Sequence, residues 1–561
     1  EALRTRIAQL EYRPVFSVLV PVYDTPEPWL RKALDSVLGQ LYPHWELCLA
    51  DDDSTAPHVR KVLEEYARRD PRVKCGFREA NGGIAEATNS ALALATGEFI
   101  ALLDHDDELA DHALALMAFE LNRNPSANLV YSDEDKIDLH GQRSAPYFKT
   151  DWNPDLMLSH NMVCHLGVYR TSVVHALGGF RAEFEGSQDY DLALRVAEQS
   201  SPAQIRHVPH VLYHWRLVPG STAKGVRRKN YAYDAGRRAI AGHLERRGVE
   251  ACVEQGLTPG SYRVAYPLPD QLPMVSVIIP TRDRAALLRR CVQGLLERTD
   301  YGPLEILIVD NGSSEPDAIA YLASLADEPR VRVLPYDRPF NHSEMNNLAA
   351  RAARGTVLCL LNNDVEPIDP GWLREMVSHA WRPDVGIVGA QLFFPNDTTQ
   401  HAGTLLGLSD AAGHAHVYLL RGLAAPFDRN LLIQNFSAVT AACCVIRRDV
   451  FDEVGGFDVE AFPITFNDVD LCLRVGERGY HIVYTPFATL YHHESASLRA
   501  MPTRRVELRQ SIEAFQQRYG VRLDELADRF YNPNLSRWHH DYRLAAPPRT
   551  ARPWSVEESS A

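Results

Sequence analysis

The sequence has no Cys-x-x-Cys pair, no Gly-x-Gly-x-x-Gly and no apolar run near the length needed to cross a bilayer. Nine cysteines are scattered along the chain, with Cys443 and Cys444 adjacent, so neither a zinc site nor a secreted disulfide framework is expected. A reducing cytoplasm is the expected compartment, and no signal peptide is recognised. The missing glycine fingerprint disfavours a dinucleotide-binding dehydrogenase, and the lack of a glycine-rich phosphate loop before a helix disfavours a nucleotidyltransferase. Positive charge is also short: 59 Lys and Arg stand against 73 Asp and Glu, a net charge of −14. That balance argues against a nucleic-acid partner. The chain opens on Glu1 rather than Met, which leaves room for a segment upstream.

What is present is ordinary for a globular chain: 45% hydrophobic and 24% charged residues over 561 positions, enough for two to four domains. Residues 1–14 read as a short charged helix. Val15-Phe-Ser-Val-Leu-Val20, stopped by Pro21, suits a strand buried on both faces. A helical spacing follows over 28–40, then a second strand, Trp45 to Ala50, ends in Asp51-Asp-Asp-Ser-Thr55. Asn81-Gly82-Gly83 leads into an alanine-rich helix, and Phe99-Ile-Ala-Leu-Leu runs into Asp104, Asp106 and Asp107. Strands alternating with helices, with polar residues at the strand C-ends, predict a doubly wound α/β sheet with its site at that edge.

The same series then repeats. Pro280 follows Pro21 by 259 residues, Asp310 follows Asp51 by the same 259, and Asp364 follows Asp106 by 258. Gly178-Gly-Phe with Gln188-Asp189-Tyr-Asp191 returns as Gly455-Gly-Phe with Asn467-Asp468-Val-Asp470, and Leu212-Tyr-His214 returns as Leu490-Tyr-His492. This is an internal repeat at domain scale. Its expected divisions are an N-terminal helical segment (1–14), one domain over 15–265, a Pro-rich linker over 266–273, a second domain over 274–500, and a tail over 501–561 with a disordered end. The second copy carries about twenty extra residues, placed at roughly 391–435.

The repeated polar positions define candidate chemistry. Asp51, Asp52 and Asp310 sit where a carboxylate would accept hydrogen bonds from a base or a ribose; helix capping by Asp53, Ser54 or Ser313 is the bland alternative. Asp104, Asp106 and Asp364 offer oxygen ligands to Mg²⁺ or Mn²⁺, against the alternative of a solvated turn. Asp189 and Asp468 would serve as general bases or as N-caps. His214 and His492 would complete a metal shell or be structural.

With these motifs in order, each copy resembles family 2 glycosyltransferases. The resemblance runs over about 15–500 and rests on the strand-Pro starts, the strand-Asp-Asp/Asn-x-Ser turns, Asn81-Gly-Gly, the DxD-type clusters and the Gln-Asp/Asn-Asp pairs before the Leu-x-x-Arg helices. It implies two tandem GT-A (Rossmann-like, doubly wound α/β) domains with a helical C-terminal tail. It implies inverting transfer of sugars from nucleotide-diphosphate donors to a cell-surface polysaccharide of O-antigen or capsule type. Pro21, Tyr23, Asp51, Asp52, Asn81, Gly82, Pro280, Arg282, Asp310, Asn311 and Asn346 would then surround the nucleotide. Asp104, Asp106, His214, Asp364 and His492 would hold Mn²⁺ or Mg²⁺, and Asp189 and Asp468 would be the bases. The acceptor would be a lipid-linked saccharide at the inner face of the plasma membrane. The second copy departs from the pattern at Asn362, where the first acid is missing and the metal site loses a charge, though the copy is still expected to be active; its different 391–435 region predicts that the two copies make different linkages or use different sugars. The alternative reading keeps one copy catalytic and makes the other a carbohydrate-binding module. Beyond residue 500, Val506, Leu508, Ile512 and Phe515 at helical spacing among arginines fit either packing on the domain or lying on an anionic membrane.

Overall fold

The computed structural model describes residues 1–217, 230–408, 411–493, 504–519 and 528–553. Strands of the first half are β1 (Phe16–Val22), β2 (Trp45–Asp51), β3 (Val73–Phe77), β4 (Phe99–Leu102), β5 (Glu108–Leu109), β6 (Leu129–Ile137), β7 (Arg143–Tyr147), β8 (Gly167–Arg170) and β9 (Ile205–Arg216). They form one sheet in the order β3-β2-β1-β4-β8-β6-β9-β5, with β7 added to β6. β1 runs parallel to β2 and β4, whereas β8 is antiparallel to β4 and β6. Every residue of β1 and β2 is buried. Helices cover both faces there, so the strands have no wet side and show no alternation. Val18, Leu47 and Leu49 pack under Leu30 and Leu34 on one face, while Leu19, Cys48 and Ala50 pack under Ala85 and Ala91 on the other.

A ribbon of β10 (Cys252–Gln255) and β11 (Tyr262–Ala265) precedes the second half. That half contains β12 (Val275–Thr281), β13 (Leu304–Asp310), β14 (Val331–Pro335), β15 (Val357–Leu361), β16 (Val365–Pro367), β17 (Val385–Phe393), β18 (Thr399–His401), β19 (Thr404–Leu406), β20 (Ala412–His414), β21 (Gln434–Asn435), β22 (Cys443–Arg447) and β23 (His481–His492). Its main sheet runs β14-β13-β12-β15-β22-β17-β23-β16, position for position the order of the first. The two tandem doubly wound α/β domains expected from the repeat are the fold observed. β18 on β17 repeats β7 on β6, and the additions of the second copy are β19 to β21, with β21 on β23 and β19 paired to β20 as a small separate ribbon.

The repeat extends to a buried polar clamp at the start of each sheet. Ser17 Oγ donates to Glu46 Oε1 at 2.7 Å, and Ser276 Oγ donates to Glu305 Oε1 at 2.7 Å. Gly97 and Gly355 each donate an N–H to that serine, and a Cβ on either would fall 2.6 Å from the carbonyl oxygen of Val15 or Met274. Burial works against the Glu46 charge, but Lys74, Ser17 and Thr96 together hold its carboxyl down at about 2. A folded-state value below the unfolded one stabilises above the ordinary glutamate range and is lost as pH falls towards 2. Glu46→Gln should therefore cost about 3 kcal/mol at neutral pH and remove part of the acid sensitivity of the first domain. Denaturant titrations at pH 7 and pH 3 check this; equal losses at both values would refute it.

The halves are joined by polar side chains that are largely buried. Asn153 Nδ2 donates to Asn435 O at 3.0 Å, Asn435 N donates to Asn153 Oδ1 at 2.9 Å, and Arg382 pairs with Asp155 at 2.5 Å. In the segment 266–273, Tyr266 lies under the Arg382 guanidinium, and Leu268 and Leu272 pack on the second domain's core. In the tail, the helix Arg504–Tyr519 buries Phe515 against Phe462 and Phe466, so this ring is used for packing on the domain. Residues 528–553, punctuated by Pro533, Pro547 and Pro548, run in turns rather than helix. They bridge the halves: Asp528 accepts from Leu406 N and Ser437 Oγ, while Asn532 donates to Asp133. Of the end expected to be disordered, residues 554–561 lie outside the described residues. Among the described residues no helix is long and apolar enough to cross a membrane.

Candidate active sites

Each site lies at the C-terminal edge of its parallel strands. β1 pairs with β4 only as far as Leu19, and β12 pairs with β15 only as far as Ile278. Pro21 and Pro280 follow two residues later, where a proline's missing N–H costs no ladder bond. The strands part there, and the gap is polar: His105 Nδ1 bonds Pro21 O at 3.1 Å, and Asn363 donates to Thr281 Oγ1 at 2.8 Å. Tyr23 and Arg282, equivalent positions just beyond, are exposed. Asp51 Oδ1 accepts from Ser54 N at 3.2 Å, and Asp310 Oδ1 accepts from Ser313 N at 3.0 Å. In both copies one carboxylate oxygen fixes the turn.

The next residue in each copy holds a neighbouring loop. Asp52, only 2% exposed, accepts from Gly82 N and Gly83 N and pairs with Arg78 at 2.7 Å. Burying a carboxylate is costly unless donors satisfy its oxygens. Asn81 reaches back to Asp52 O, and its equivalent loop in the second copy is held by Asn311, which donates to Tyr336 O and Arg338 O. Asn346 is buried too and donates to His342 O within its own helix. The Oδ1 atoms of Asn311 and Asn346 are buried without a partner.

In the first domain, Asp104, Asp107 and His165 are the one group among the described residues whose metal-ligating atoms lie within 4.8 Å of one another. Asp107 accepts from Tyr213 Oη at 2.6 Å and from Arg216 N at 2.7 Å, and Arg216 Nε donates to Asp106 O. Burial, reinforced by mutual repulsion, pushes the carboxyls of Asp106 and Asp107 above the usual aspartate range. Crowded carboxylates in this state fit a hard divalent cation, which would relieve the repulsion. In the second domain the same edge holds Asp364, whose Oδ1 lies 3.1 Å from His492 Nε2, with Asn362 3.4 Å from the same nitrogen. His214 is placed differently from His492. It bonds Asp135 at 2.6 Å. Glu108 faces His214 across the strands, but its equivalent Glu366 faces Tyr491, and a one-residue change of pairing turns a side chain to the other face.

Asp189 and Asp468 both lie in the first turn of a helix, Gln188–Glu198 and Asn467–Glu477. Asp189 Oδ2 accepts from Asn161 Nδ2 at 2.8 Å, and burial raises its carboxyl above the ordinary range while His165 opposes the shift. His165 Nε2 is 3.8 Å from Asp104, its ring stacks on Tyr213 at 4.4 Å, and its Nδ1 is buried without a partner. This histidine therefore links the acidic cluster to Asp189. Sequence comparison missed it because strand register pairs position 165 with Ala442 in the second copy. There the histidine comes from another element: His342 Nδ1 is 3.0 Å from Asn467 Nδ2, and burial holds its imidazole below the ordinary range despite nearby Asp468. Asp468 Oδ2 accepts from Ala441 N at 3.2 Å.

The chain belongs to glycosyl transferase family 2, whose family model matches residues 17–178 and again 276–455. It is 46% identical over 555 residues to an uncharacterised protein of Sinorhizobium fredii, covering 98% of this chain and 61% of that one. It is 41% identical over 536 residues to the O-antigen biosynthesis protein RfbC of Myxococcus xanthus, covering 95% of this chain and 41% of that one. The chain thus spans less than two thirds of either relative. Among solved structures, S. aureus TarS 1-349 in complex with UDP-GlcNAc matches 41% of this chain and 66% of that one, with 21% identity and a TM-score of 0.34.

Proposed function

We propose that the chain is a bifunctional inverting glycosyltransferase that moves sugars from nucleotide-diphosphate donors onto a growing cell-surface polysaccharide, each domain making its own linkage. One observation supports this reading: in both domains an acid at the end of the second strand, at least one acid in the turn after β4 or β15, and a first-turn helix aspartate recur in the same order. Asp51 and Asp310 would bind the nucleoside, with Asn81, Gly82, Tyr23 and Arg282 around it. Asp189 and Asp468 would take the proton from the acceptor hydroxyl as it attacks the sugar from the face opposite the leaving diphosphate. A divalent cation held by Asp104, Asp106 and Asp107, or by Asp364 and His492, would neutralise that diphosphate as it leaves. The name of the Myxococcus relative supports an O-antigen type of product, and a lipid-linked acceptor would bring the protein to the membrane's inner face.

Asn362 in place of Asp104, and Ala442 in place of His165, favour the second reading, in which the second domain binds carbohydrate without transferring it. A screen of nucleotide sugars with the full chain separates the two. Nucleoside diphosphate release with Mn²⁺ or Mg²⁺ should be abolished by EDTA, and Asp106→Asn and Asp364→Asn should each remove turnover of a different donor. Total loss from Asp106→Asn alone would leave one catalytic domain, and no release from any donor would overturn both readings.

A further inference from the structure

Where the two domains and the tail meet lies a groove of about 480 Å³, within the size range of small-molecule sites. Its walls include Tyr147 at the end of β7, Phe427 and Arg429 ahead of β21, and Tyr542 in the tail. Tyr147 and Phe427 stack at 4.1 Å with 20° between their planes. Three of the lining residues, Ala145, Phe427 and Tyr542, hold φ of 45°, 55° and 61° although none is glycine. Strain of this kind is kept where the surroundings fix a ligand clamp.

Arg429 is the exception among these apolar walls. It is 2% exposed, and its Nε and a terminal nitrogen donate to Gln434 Oε1, a neutral oxygen. Among the described residues no carboxylate forms an ion pair with it, and the lining Arg543 is already paired with Asp541. The nearby imidazoles add no further positive charge: burial, reinforced by Arg429, holds His160 and His416 at about 3. A buried guanidinium that meets Gln434 and, 5.8 Å away, the Tyr542 ring but no carboxylate is only partly compensated, and buried charges are ordinarily paired. The groove also adjoins the first site. Tyr147 Oη bonds His160 Nε2 at 2.8 Å, and the next residue, Asn161, donates to Asp189.

We propose that this groove binds a uronate-bearing stretch of the acceptor saccharide, with Arg429 pairing the sugar carboxylate and the Tyr147–Phe427 stack and Tyr542 forming the apolar wall along the pyranoses. It rests on the transferase reading of the chain. A single carboxylate matches one uncompensated guanidinium, whereas a nucleoside diphosphate brings more negative charge than Arg429 can offset. Gln434 takes the Nε side of the guanidinium, and the remaining terminal N–H groups suit charge-assisted bonds to a carboxylate.

Calorimetric titration of the full chain with a panel of uronate trisaccharides, and with the same sugars after reduction of their carboxylates, tests the proposal. At least one uronate should bind, its reduced form should bind about tenfold or more weakly, and affinity should fall as salt rises. Arg429→Gln should lose about tenfold or more. Phe427→Gly, which removes the ring yet suits the positive φ, should weaken the acid and reduced forms alike. Donor hydrolysis on the same preparations keeps the two readings apart. Hydrolysis without uronate binding, equal binding of acid and reduced sugars, or unchanged binding by Arg429→Gln would overturn the groove assignment and leave the transferase reading standing.

Discussion

Asp189→Asn should stop transfer by the first domain, lowering turnover by roughly 10²–10⁴-fold, the usual contribution of a positioned general base. The substitution keeps shape and leaves an oxygen for Asn161 Nδ2 to donate to, so folding should be unaffected. What is lost is the ability to take a proton. Because burial raises the Asp189 carboxyl, its ionised form is a stronger base than an ordinary aspartate, and the first transfer should fail on acidification sooner than a solvated aspartate would dictate. Asp468→Asn should stop a different step, since Asp468 is held differently, by the Ala441 amide instead of an asparagine side chain. Mass spectrometry of products from each variant decides the matter. Two different truncated products are expected, and identical residual products from both variants would sink the assignment of separate linkages.

The sequence carried the sheet and its edge because both are written twice. A proline at 21 and 280, an acid at 51 and 310, and an acid at 106 and 364 mark strand ends in local code, and a shared offset separates them from chance. That same comparison hides whatever is present once. His165 lies opposite Asp104 in the first site, but its register partner is Ala442, and the second site draws His342 from a helix start instead. Nor does spacing tell a ligand-facing acid from a structural one. Asp51 and Asp52 are adjacent, yet Asp52 is consumed by Gly82, Gly83 and Arg78. The joint formed by Asn153 and Asn435, 282 residues apart, leaves no local signature at all. Contacts of that kind depend on packing between folded domains, which no window of sequence contains.

The distinction between adjacent acids has its largest consequence at the helix that carries the proposed base. Asp189 and Asp191 are two residues apart, but Asp191 is fully buried and pairs with both Arg181 and Arg195. Arg195, 4% exposed, also donates to Leu177 O and Gly179 O, which ties the helix to the Gly178-Gly179 turn. In the second copy Asp470 pairs with Arg474, which donates to Val454 O and Gly456 O, and here the tail supplies the other partners, Arg518 and Tyr519. Removing one partner from a buried pair leaves an uncompensated charge, so Asp191→Ala should cost about 3–5 kcal/mol. The loss should appear as an earlier denaturant midpoint for the first domain, with activity of the surviving folded fraction retained. Replacing Arg181 and Arg195 with methionine in the Asp191→Leu background should recover much of it, because an apolar set of similar volume leaves no charge behind. Asp470→Ala should lose a similar amount and also release the helix Arg504–Tyr519, read as faster proteolysis within 504–519 than in Asp191→Ala. A stable Asp191→Ala protein that has lost only activity would instead place Asp191 in the chemistry and Asp189 in the framework.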